Sequence, residues 1–298
     1  MPSYLPSKPE PGPPLRRPWF YFRTADNGPT LSRHTSGPKA TPKAKAIRSP
    51  KARRKAEAIR GYGEALASPS MEFVFIRHGQ PAWSVDGLSQ VDPALTPLGR
   101  LQAERVAARL AADEHEFAEI IVSPALRAQQ TAQPLVQLTG LTALTIEAMT
   151  EIQMPDWTGT PEQEVQRIFD ESRSRPPEEW WEGLGDGESF RDFHNRITGA
   201  MADLLGRRSV RPDPSGHPHL WRIENDPQRI AVVAHGGTNA VALGFLLGLD
   251  PTPWEWERFV LGHASIASVR SVSLAGGHVF SLRAFNDQEH LPDELRSR

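Results

Sequence analysis

Short apolar runs without a polar interruption constrain the fold of this chain most strongly. Residues 73–76 (Phe-Val-Phe-Ile) and 230–234 (Ile-Ala-Val-Val-Ala) are the clearest examples. A strand that is covered on both faces is apolar throughout, whereas a half-exposed strand alternates apolar and polar residues. Strands that alternate with helical segments are typical of a parallel sheet. We therefore predict an α/β fold in three layers, with a mostly parallel central sheet flanked by helices.

The other elements follow from capping residues and periodicity. Thr96 and Pro97 predict a helix start, since threonine is a good cap and proline fits the first helical position. Ser123 and Pro124 predict the same arrangement after a second strand at 119–122. We expect the final residues to fray. The remaining predictions are a third strand at 141–146, a helix at 190–205, a loop at 207–226, a buried helix ending near 249, and late strands at 266–272 and 279–285.

The composition excludes several classes of protein. The chain has 298 residues, of which 38% are hydrophobic and 23% are charged, and it contains no cysteine. The missing cysteine rules out disulfides and thiolate-based metal or redox chemistry, and it fits a cytoplasmic location. No apolar run approaches the roughly 18 residues of a membrane span. We therefore expect no membrane partner, and we expect no nucleic-acid partner either.

The first 70 residues differ from the remainder in charge. They hold 14 Lys+Arg against 4 Asp+Glu, a balance of +10, while residues 71–298 have a balance of −12. Their Pro-rich, aliphatic-poor composition predicts a disordered basic tail. Three interpretations stay open: an arm for an acidic partner, an organelle transit peptide, or upstream sequence wrongly joined to a protein that begins at Met71. We predict that residues 71–298 form the folded domain of this chain.

Residues 150–195 interrupt the alternation of strands and helices. Proline, tryptophan and glycine abound there, which predicts an inserted lid over a site. Trp180 and Trp181 lie in an acidic stretch that we expect to be helical. Together with Trp157 and Phe190, they are interpreted as the lid's own small core, and stacking on a substrate ring is the alternative.

Reactive side chains follow three of the predicted strands. Arg77 and His78 come after the first strand, Arg127 after the second, and His235 after the run at 230–234. The carboxyl ends of neighbouring parallel strands meet at one edge of a sheet, where ligands bind in α/β proteins. Guanidinium groups match phosphate oxygens, and helix N-termini add N–H donors. The pattern therefore predicts a site for a dianionic phosphoryl group.

At this point the chain resembles the histidine phosphatase superfamily, also called phosphoglycerate mutase-like. The matching segments occur in family order over most of residues 71–285 and leave out the basic tail. A glycine follows His235. In this respect the chain resembles the branch of the family that has His-Gly rather than His-Asp at the second histidine. The matching segments are Arg77-His78-Gly79-Gln80, residues 95–99 with 102–103, residues 123–132, residues 151–159, residues 187–189 and His235-Gly236-Gly237.

The resemblance implies a role for each of five residues. His78 would be the nucleophile that forms a phosphohistidine, and chemistry requires its imidazole to be neutral. Arg77, Arg127 and His235 would hold the phosphoryl oxygens. Glu151 would protonate the leaving alkoxide and then deprotonate the attacking water. No metal or other cofactor is implied.

Other candidate residues are less well determined. Gln80 and Gly236 are predicted to bind substrate, and so is Ser84, which stands six residues after the nucleophile where many relatives carry asparagine. Pro155 stands where glycine is common, which could displace Glu151. The alternative acids are Asp156, then Glu147 and Glu162.

These features lead to a predicted function with two alternatives. We expect a metal-independent phosphatase that hydrolyses a small phosphorylated metabolite, and we leave a homodimer open. A phosphoglycerate-type mutase is the first alternative, although the predicted lid is acidic where a mutase needs basic residues. A non-catalytic phospho-ligand-binding protein is the second alternative. The acidic residues of the lid are Glu178, Glu179, Glu182, Asp186 and Glu188.

Overall fold

A computed structural model describes residues 70–215, 217, 219–224 and 228–297. The predicted basic tail lies outside these residues. The strands are β1 (Glu72–Arg77), β2 (Ser84–Val85), β3 (Leu88–Ser89), β4 (Glu119–Val122), β5 (Ala143–Thr145), β6 (Val210–Pro212), β7 (Trp221–Ile223), β8 (Arg229–Ala234), β9 (Ile266–Leu274) and β10 (Gly277–Asp287). The helices are α1 (Pro97–Ala111), α2 (Leu126–Thr139), α3 (Glu162–Arg173), α4 (Phe190–Gly206), α5 (Gly236–Leu246) and α6 (Glu255–Arg258).

Eight strands form one mixed sheet in the order β5-β4-β8-β1-β9-β10-β7-β6. The first four run parallel, with Phe73 opposite Ile230 and Ile120 opposite Ala231. The predicted neighbourhood of β1, β4 and β8 is therefore confirmed. Strand β9 runs antiparallel to β1 and turns back as the hairpin partner β10.

The alternation of side chains along β1 divides the core into two layers. Phe73 and Phe75 pack on one face with buried residues of α4 and α5. Val74 and Ile76 pack on the opposite face with residues of α1 and α2. Helices thus cover both faces of the sheet, which confirms the predicted three layers and explains why β1 is apolar throughout.

Two predicted features around the later strands are wrong. The segment 207–226 was expected to be a loop, but β6 and β7 extend the sheet there by pairing with each other and with β10. The carboxyl-terminal segment, residues 291–297, is not frayed. Leu291 is buried, the main chain of Ser297 accepts a hydrogen bond from His263, and buried Gln102 donates to the carbonyl of Leu295.

The start of α2 also differs from the prediction. The helix begins at Leu126, and its N-cap residue, Ala125, makes no side-chain cap hydrogen bond. The Asp92 carboxylate instead accepts a hydrogen bond from the Leu126 N–H, at 3.0 Å. Ser123 is therefore not the cap, and its hydroxyl is available for a contact across the sheet.

The segment 150–195 contains α3 and a short 3₁₀ turn, Pro177–Glu179, and its aromatic residues have different environments. Phe190 belongs to the main core and Trp181 packs against it. Trp180 lies just beyond the turn and is exposed, so the expected helical patch is only a turn. Within the part of the chain that the structure describes, no helix is long and apolar enough to cross a membrane.

A close approach of two glycines joins the loop after β1 to the first turn of α1. A Cβ atom at Gly79 would lie 2.5 Å from the carbonyl oxygen of Gly99, and one at Gly99 would lie 2.1 Å from that of Gln80. Both obstacles are backbone atoms that cannot rotate away. Thr96 caps this helix by accepting from the Gly99 N–H at 3.0 Å. The loop that carries His78 is thus held against the helix start.

Replacing Gly99 with alanine is expected to destabilise the protein by about 1–3 kcal/mol, because the new methyl group forces two backbone segments apart. Urea unfolding monitored by circular dichroism measures the loss. Gly199→Ala in α4 is the matched control, since nothing lies within 4 Å of its Cβ position. This control is expected to gain up to about 1 kcal/mol from helix propensity. Equal stability of the two variants would contradict the prediction.

Candidate active site

The carboxyl ends of β1 and β8 bring two histidines together. Each strand is followed at once by its histidine, and the His78 N–H donates to the Ala234 carbonyl at 2.9 Å. The two imidazole rings lie edge to face with centroids 5.2 Å apart. Arg77 ends β1, and Arg127 lies in the first turn of α2 behind the neighbouring β4. The convergence predicted from the strand ends is therefore present.

His78 is buried with one ring nitrogen committed to the backbone. Its Nδ1 lies 2.8 Å from the carbonyl oxygen of Gly79, so we assign the proton to Nδ1 and the free lone pair to Nε2. Burial lowers the pKa of His78 well below its ordinary value, and the cations Arg77 and Arg127 lower it further. The imidazole is therefore neutral and can act as a nucleophile.

The two arginines remain cations although both are largely buried. Burial lowers the pKa of Arg77 to about 10 against an opposing effect of Glu151, and burial also lowers the pKa of Arg127. The Arg77 Nη1 donates to the Leu261 carbonyl at 2.5 Å. Arg127 pairs with Asp92 at 3.3 Å, and its guanidinium carbon lies 4.6 Å from the centre of a Trp83 ring.

His235 is completely buried and contacts Ser123 across the sheet. Its Nε2 lies 2.7 Å from the Ser123 hydroxyl oxygen, which accounts for the serine that does not cap α2. Burial lowers the pKa of His235 well below its ordinary value, and the charges of Arg127, Arg77 and Arg196 lower it further. The ring is therefore neutral and its orientation is set from the neighbouring strand.

Three buried nitrogen atoms in this cluster have no hydrogen-bond partner among the described residues. They are Nε of Arg77, Nε of Arg127 and Nδ1 of His235. Buried polar groups without a partner are costly and rare in folded proteins. An anion with several acceptor oxygens would satisfy guanidinium donors, and a phosphoryl group has this chemistry.

Glu151 lies at the amino terminus of α5. Its carboxylate accepts hydrogen bonds from the N–H of Gly237, at 2.9 Å, and from that of Thr238, at 3.1 Å. The charge of Glu151 also raises the pKa of Arg77 and of Arg127, against the larger lowering by burial. Gly236 opens the helix next to Arg77, and a Cβ there would lie 3.6 Å from the arginine Nε.

The other predicted site residues lie further from this cluster or are already engaged. Gln80 accepts from the Thr96 hydroxyl at 2.8 Å, and Ser84 lines a cavity next to Arg127. Glu162 lines the same cavity. Asp156 is exposed, and hydrogen bonds from Thr158 lower its pKa, which makes it a poorer proton donor. Glu147 is exposed in the 3₁₀ turn Glu147–Met149.

A third buried histidine, His263, was not predicted. Its ring centroid lies 5.7 Å from that of His78, and its Nε2 lies 3.4 Å from Nη2 of Arg77. Its Nδ1 lies 2.9 Å from the Ser297 hydroxyl oxygen. If Nδ1 carries the proton, Nε2 accepts from Arg77 and helps to orient its guanidinium. Burial, with a smaller effect of Arg77, lowers the pKa of His263 to about 3.

Two further polar residues support the loop that follows His78. The Thr131 hydroxyl accepts from the Gly79 N–H at 2.9 Å and donates to the Arg127 carbonyl at 2.7 Å. Gln102 is completely buried and accepts from the Gln80 N–H at 2.8 Å. Thr131 could have been found from its spacing, because it lies one helical turn after Arg127 on the same face. Among the described residues, no group of three or more histidine or acidic side chains is arranged to hold a metal ion.

Comparisons with known proteins agree with this fold. A family model described as histidine phosphatase superfamily (branch 1) matches residues 73–212. Phosphoglycerate mutase-like protein 4 of Arabidopsis thaliana is 31% identical over 230 residues, covering 74% of this chain and 87% of that protein. Glucosyl-3-phosphoglycerate phosphatase of Mycobacterium tuberculosis is 30% identical over 184 residues, covering 61% and 77%.

A solved structure matches the same part of the chain. The native structure of mycobacterial glucosyl-3-phosphoglycerate phosphatase superimposes with a TM-score of 0.55 and 25% identity, covering 73% of this chain and 99% of that one. The chain therefore belongs to the histidine phosphatase superfamily, as its sequence motifs predicted.

The buried neutral histidines make stability depend on pH. His263 has a pKa of about 3 when folded, and an unfolded histidine titrates near ~6.5. The unfolded chain therefore takes up the proton first, and stability is lost as the pH falls from about 6.5 towards 3. When the pH is lowered from 7 to 5, the unfolding free energy of His263→Leu is expected to fall by about 2 kcal/mol less than that of the parent protein.

Urea unfolding of both proteins at the two pH values measures this difference. His115→Leu is the control, because the His115 side chain is 71% exposed, and its loss is expected to equal that of the parent. A parallel decline of the parent protein and His263→Leu would show that His263 is not the titrating group.

Proposed function

We propose that this protein is a phosphatase that hydrolyses a small phosphomonoester through a phosphohistidine on His78, and that residues 71–298 are its catalytic domain. One observation carries the proposal: a neutral imidazole with its Nδ1 bound to a carbonyl lies near two arginines whose buried Nε atoms have no partner among the described residues. That arrangement suits attack by Nε2 on an anionic phosphorus centre. The phosphatase named among the relatives supports it.

The proposed reaction has two steps. In the first, the lone pair on Nε2 of His78 forms the N–P bond while the ester P–O bond breaks. The leaving oxygen takes a proton from Glu151. In the second step, Glu151 removes a proton from a water molecule, and the water oxygen attacks phosphorus. The N–P bond breaks, which regenerates His78 and releases inorganic phosphate.

Side chains of the protein supply the positive charge and the hydrogen-bond donors for both steps. Arg77 and Arg127 can bind the phosphoryl oxygens through Nε, and His235 adds Nδ1. Preorganised cations in a buried site stabilise the charge of the transition state. We therefore propose a metal-independent reaction, for which activity is expected to persist in excess EDTA.

We also propose that the chain belongs to the branch of the superfamily that has His-Gly at the second histidine. Gly236 adjoins the Arg77 guanidinium, where an aspartate would form an ion pair with the arginine. The Glu151 carboxylate accepts hydrogen bonds from the next two N–H groups of α5, those of Gly237 and Thr238. Glu151 thus takes the proton-donor position, and no acid is needed at residue 236.

A mutase is the second candidate, since one relative is called phosphoglycerate mutase-like. A mutase must bind a phosphorylated acid and protect the phosphohistidine from water. The acidic side chains next to the site, including Asp92 and Glu162, disfavour a second anionic group. A coupled assay for phosphoglycerate isomerisation distinguishes the two candidates, and we expect phosphate release to exceed isomerisation.

Removing the nucleophile tests the proposal directly. His78→Ala is expected to reduce hydrolysis of 4-nitrophenyl phosphate by at least about 10³-fold, because the variant lacks the proposed nucleophile. Rapid acid-free quenching followed by mass spectrometry is expected to detect phosphate on His78. His115→Ala, which changes an exposed histidine, should keep full activity. Full activity of His78→Ala would refute the proposal.

Leaving-group dependence tests the role of Glu151. Glu151→Gln is expected to lower kcat/KM, which reports only the phosphorylation step, about 10²–10⁴-fold for an alkyl phosphate, since a poor leaving group needs a general acid. The loss should be much smaller for 4-nitrophenyl phosphate, whose leaving group needs no proton. Asp156→Asn is the control and should leave both rates unchanged. A uniform loss over both substrates would instead indicate a structural role for Glu151.

A further inference from the structure

A cavity adjoins the candidate site. Its volume is about 820 Å³, and its walls come from the β2–β3 hairpin on one side and from α3 on the other. Arg127 and Glu151 are among its lining residues, so the group esterified to a bound phosphate would extend into it. Ligand pockets are typically about 300–1,000 Å³, and this volume exceeds what a three-carbon ester requires.

The charges that line the cavity are mostly negative. Arg127 is the single cation among the described residues of its wall, whereas Asp92, Glu151 and Glu162 are acidic. Arg127 would be engaged by the phosphoryl group and already pairs with Asp92. A carboxylate or second phosphate on the substrate would therefore lose its hydration without gaining a cation in return.

Aromatic rings form much of the remaining wall. Trp83 lies over the Arg127 guanidinium, 4.6 Å from ring centre to guanidinium carbon. Trp157 and Phe169 pack edge to face with centroids 5.6 Å apart, and both line the cavity. Trp157 therefore belongs to the cavity wall, in addition to packing within the predicted lid. Such surfaces favour contact with a ring over contact with a short polar chain.

We propose that the substrate is a phosphomonoester whose alcohol carries an apolar or aromatic ring and no second anionic group. The ring would lie against Trp157 and Phe169, and the phosphoryl group would lie at Arg127. This proposal rests on the phosphatase function proposed above and adds the class of leaving group. It implies that this chain would reject phosphorylated acids, unlike a relative that is named for a phosphoglycerate substrate.

Matched substrates test the charge part of the proposal. Phenyl phosphate and 4-carboxyphenyl phosphate share a ring, and their leaving groups are of similar acidity. With the full chain, kcat/KM is expected to be at least about tenfold higher for phenyl phosphate, because the added carboxylate meets acidic walls. Equal values, or a preference for the carboxylated ester, would overturn the proposal.

A charge reversal in the wall provides the second test. Glu162→Lys is expected to raise the ratio of kcat/KM for 4-carboxyphenyl phosphate over that for phenyl phosphate by about tenfold. Glu171→Lys is the matched control, because it makes the same change on the same helix outside the cavity. The ratio should not move in the control. An equal shift in both variants would point to a long-range charge effect instead.

The ring part of the proposal is tested with benzyl and methyl phosphate. Trp157→Ala and Phe169→Ala are each expected to lower kcat/KM for benzyl phosphate about tenfold and to leave methyl phosphate nearly unchanged. Trp180→Ala, an exposed tryptophan outside the cavity, should change neither. Unchanged methyl phosphate hydrolysis also shows that a variant is folded.

The outcomes separate this proposal from the function on which it rests. No hydrolysis of any phosphomonoester by the parent protein would refute the phosphatase function itself. If kcat/KM does not depend on the ring, on the added carboxylate or on the substitutions in the cavity wall, the proposed substrate class alone would be overturned. A loss of both benzyl and methyl phosphate hydrolysis in Trp157→Ala and Phe169→Ala would also count against the ring contact, because their effect would then not depend on the ring.

Discussion

Burial of His78 among cations is the condition on which the candidate site depends. An imidazole that accepted a proton there would lie beside Arg77 and Arg127, and the low pKa that results keeps the ring neutral. The Gly79 carbonyl then binds Nδ1 and leaves Nε2 with a lone pair. The positive charge around His78 attracts a phosphoryl dianion, while the imidazole itself stays unprotonated and nucleophilic.

The surrounding structure holds this arrangement in place through contacts that are far apart in sequence. Thr131 connects the loop after β1 to the helix that carries Arg127, and Gln102 connects the same loop to the carboxyl-terminal segment. His263 and Ser297 extend the support to Arg77. Such positioning matters because small displacements of catalytic groups greatly lower the reaction rate.

Much of the site followed from a simple topological rule. Reactive residues placed after neighbouring parallel strands meet at one sheet edge, so the sequence alone groups His78, Arg127 and His235. His263 could not be grouped with them. It precedes the antiparallel strand β9, whose position beside β1 depends on long-range pairing. Ser123 was misassigned for a similar reason, since its partner lies 112 residues away.

The sequence by itself determined the order of the main strands and helices, the two-faced burial of β1 and the residues that reach the sheet edge, but it missed α3, α6 and the short strands. Local periodicity and capping encode these features, because they depend on neighbours along the chain. Only the tertiary structure decided that β6 and β7 join the sheet, that residues 291–297 pack against Gln102 and His263, and that Arg127 is the one cation among the described residues lining the cavity. These features depend on contacts between distant segments, which no local pattern records.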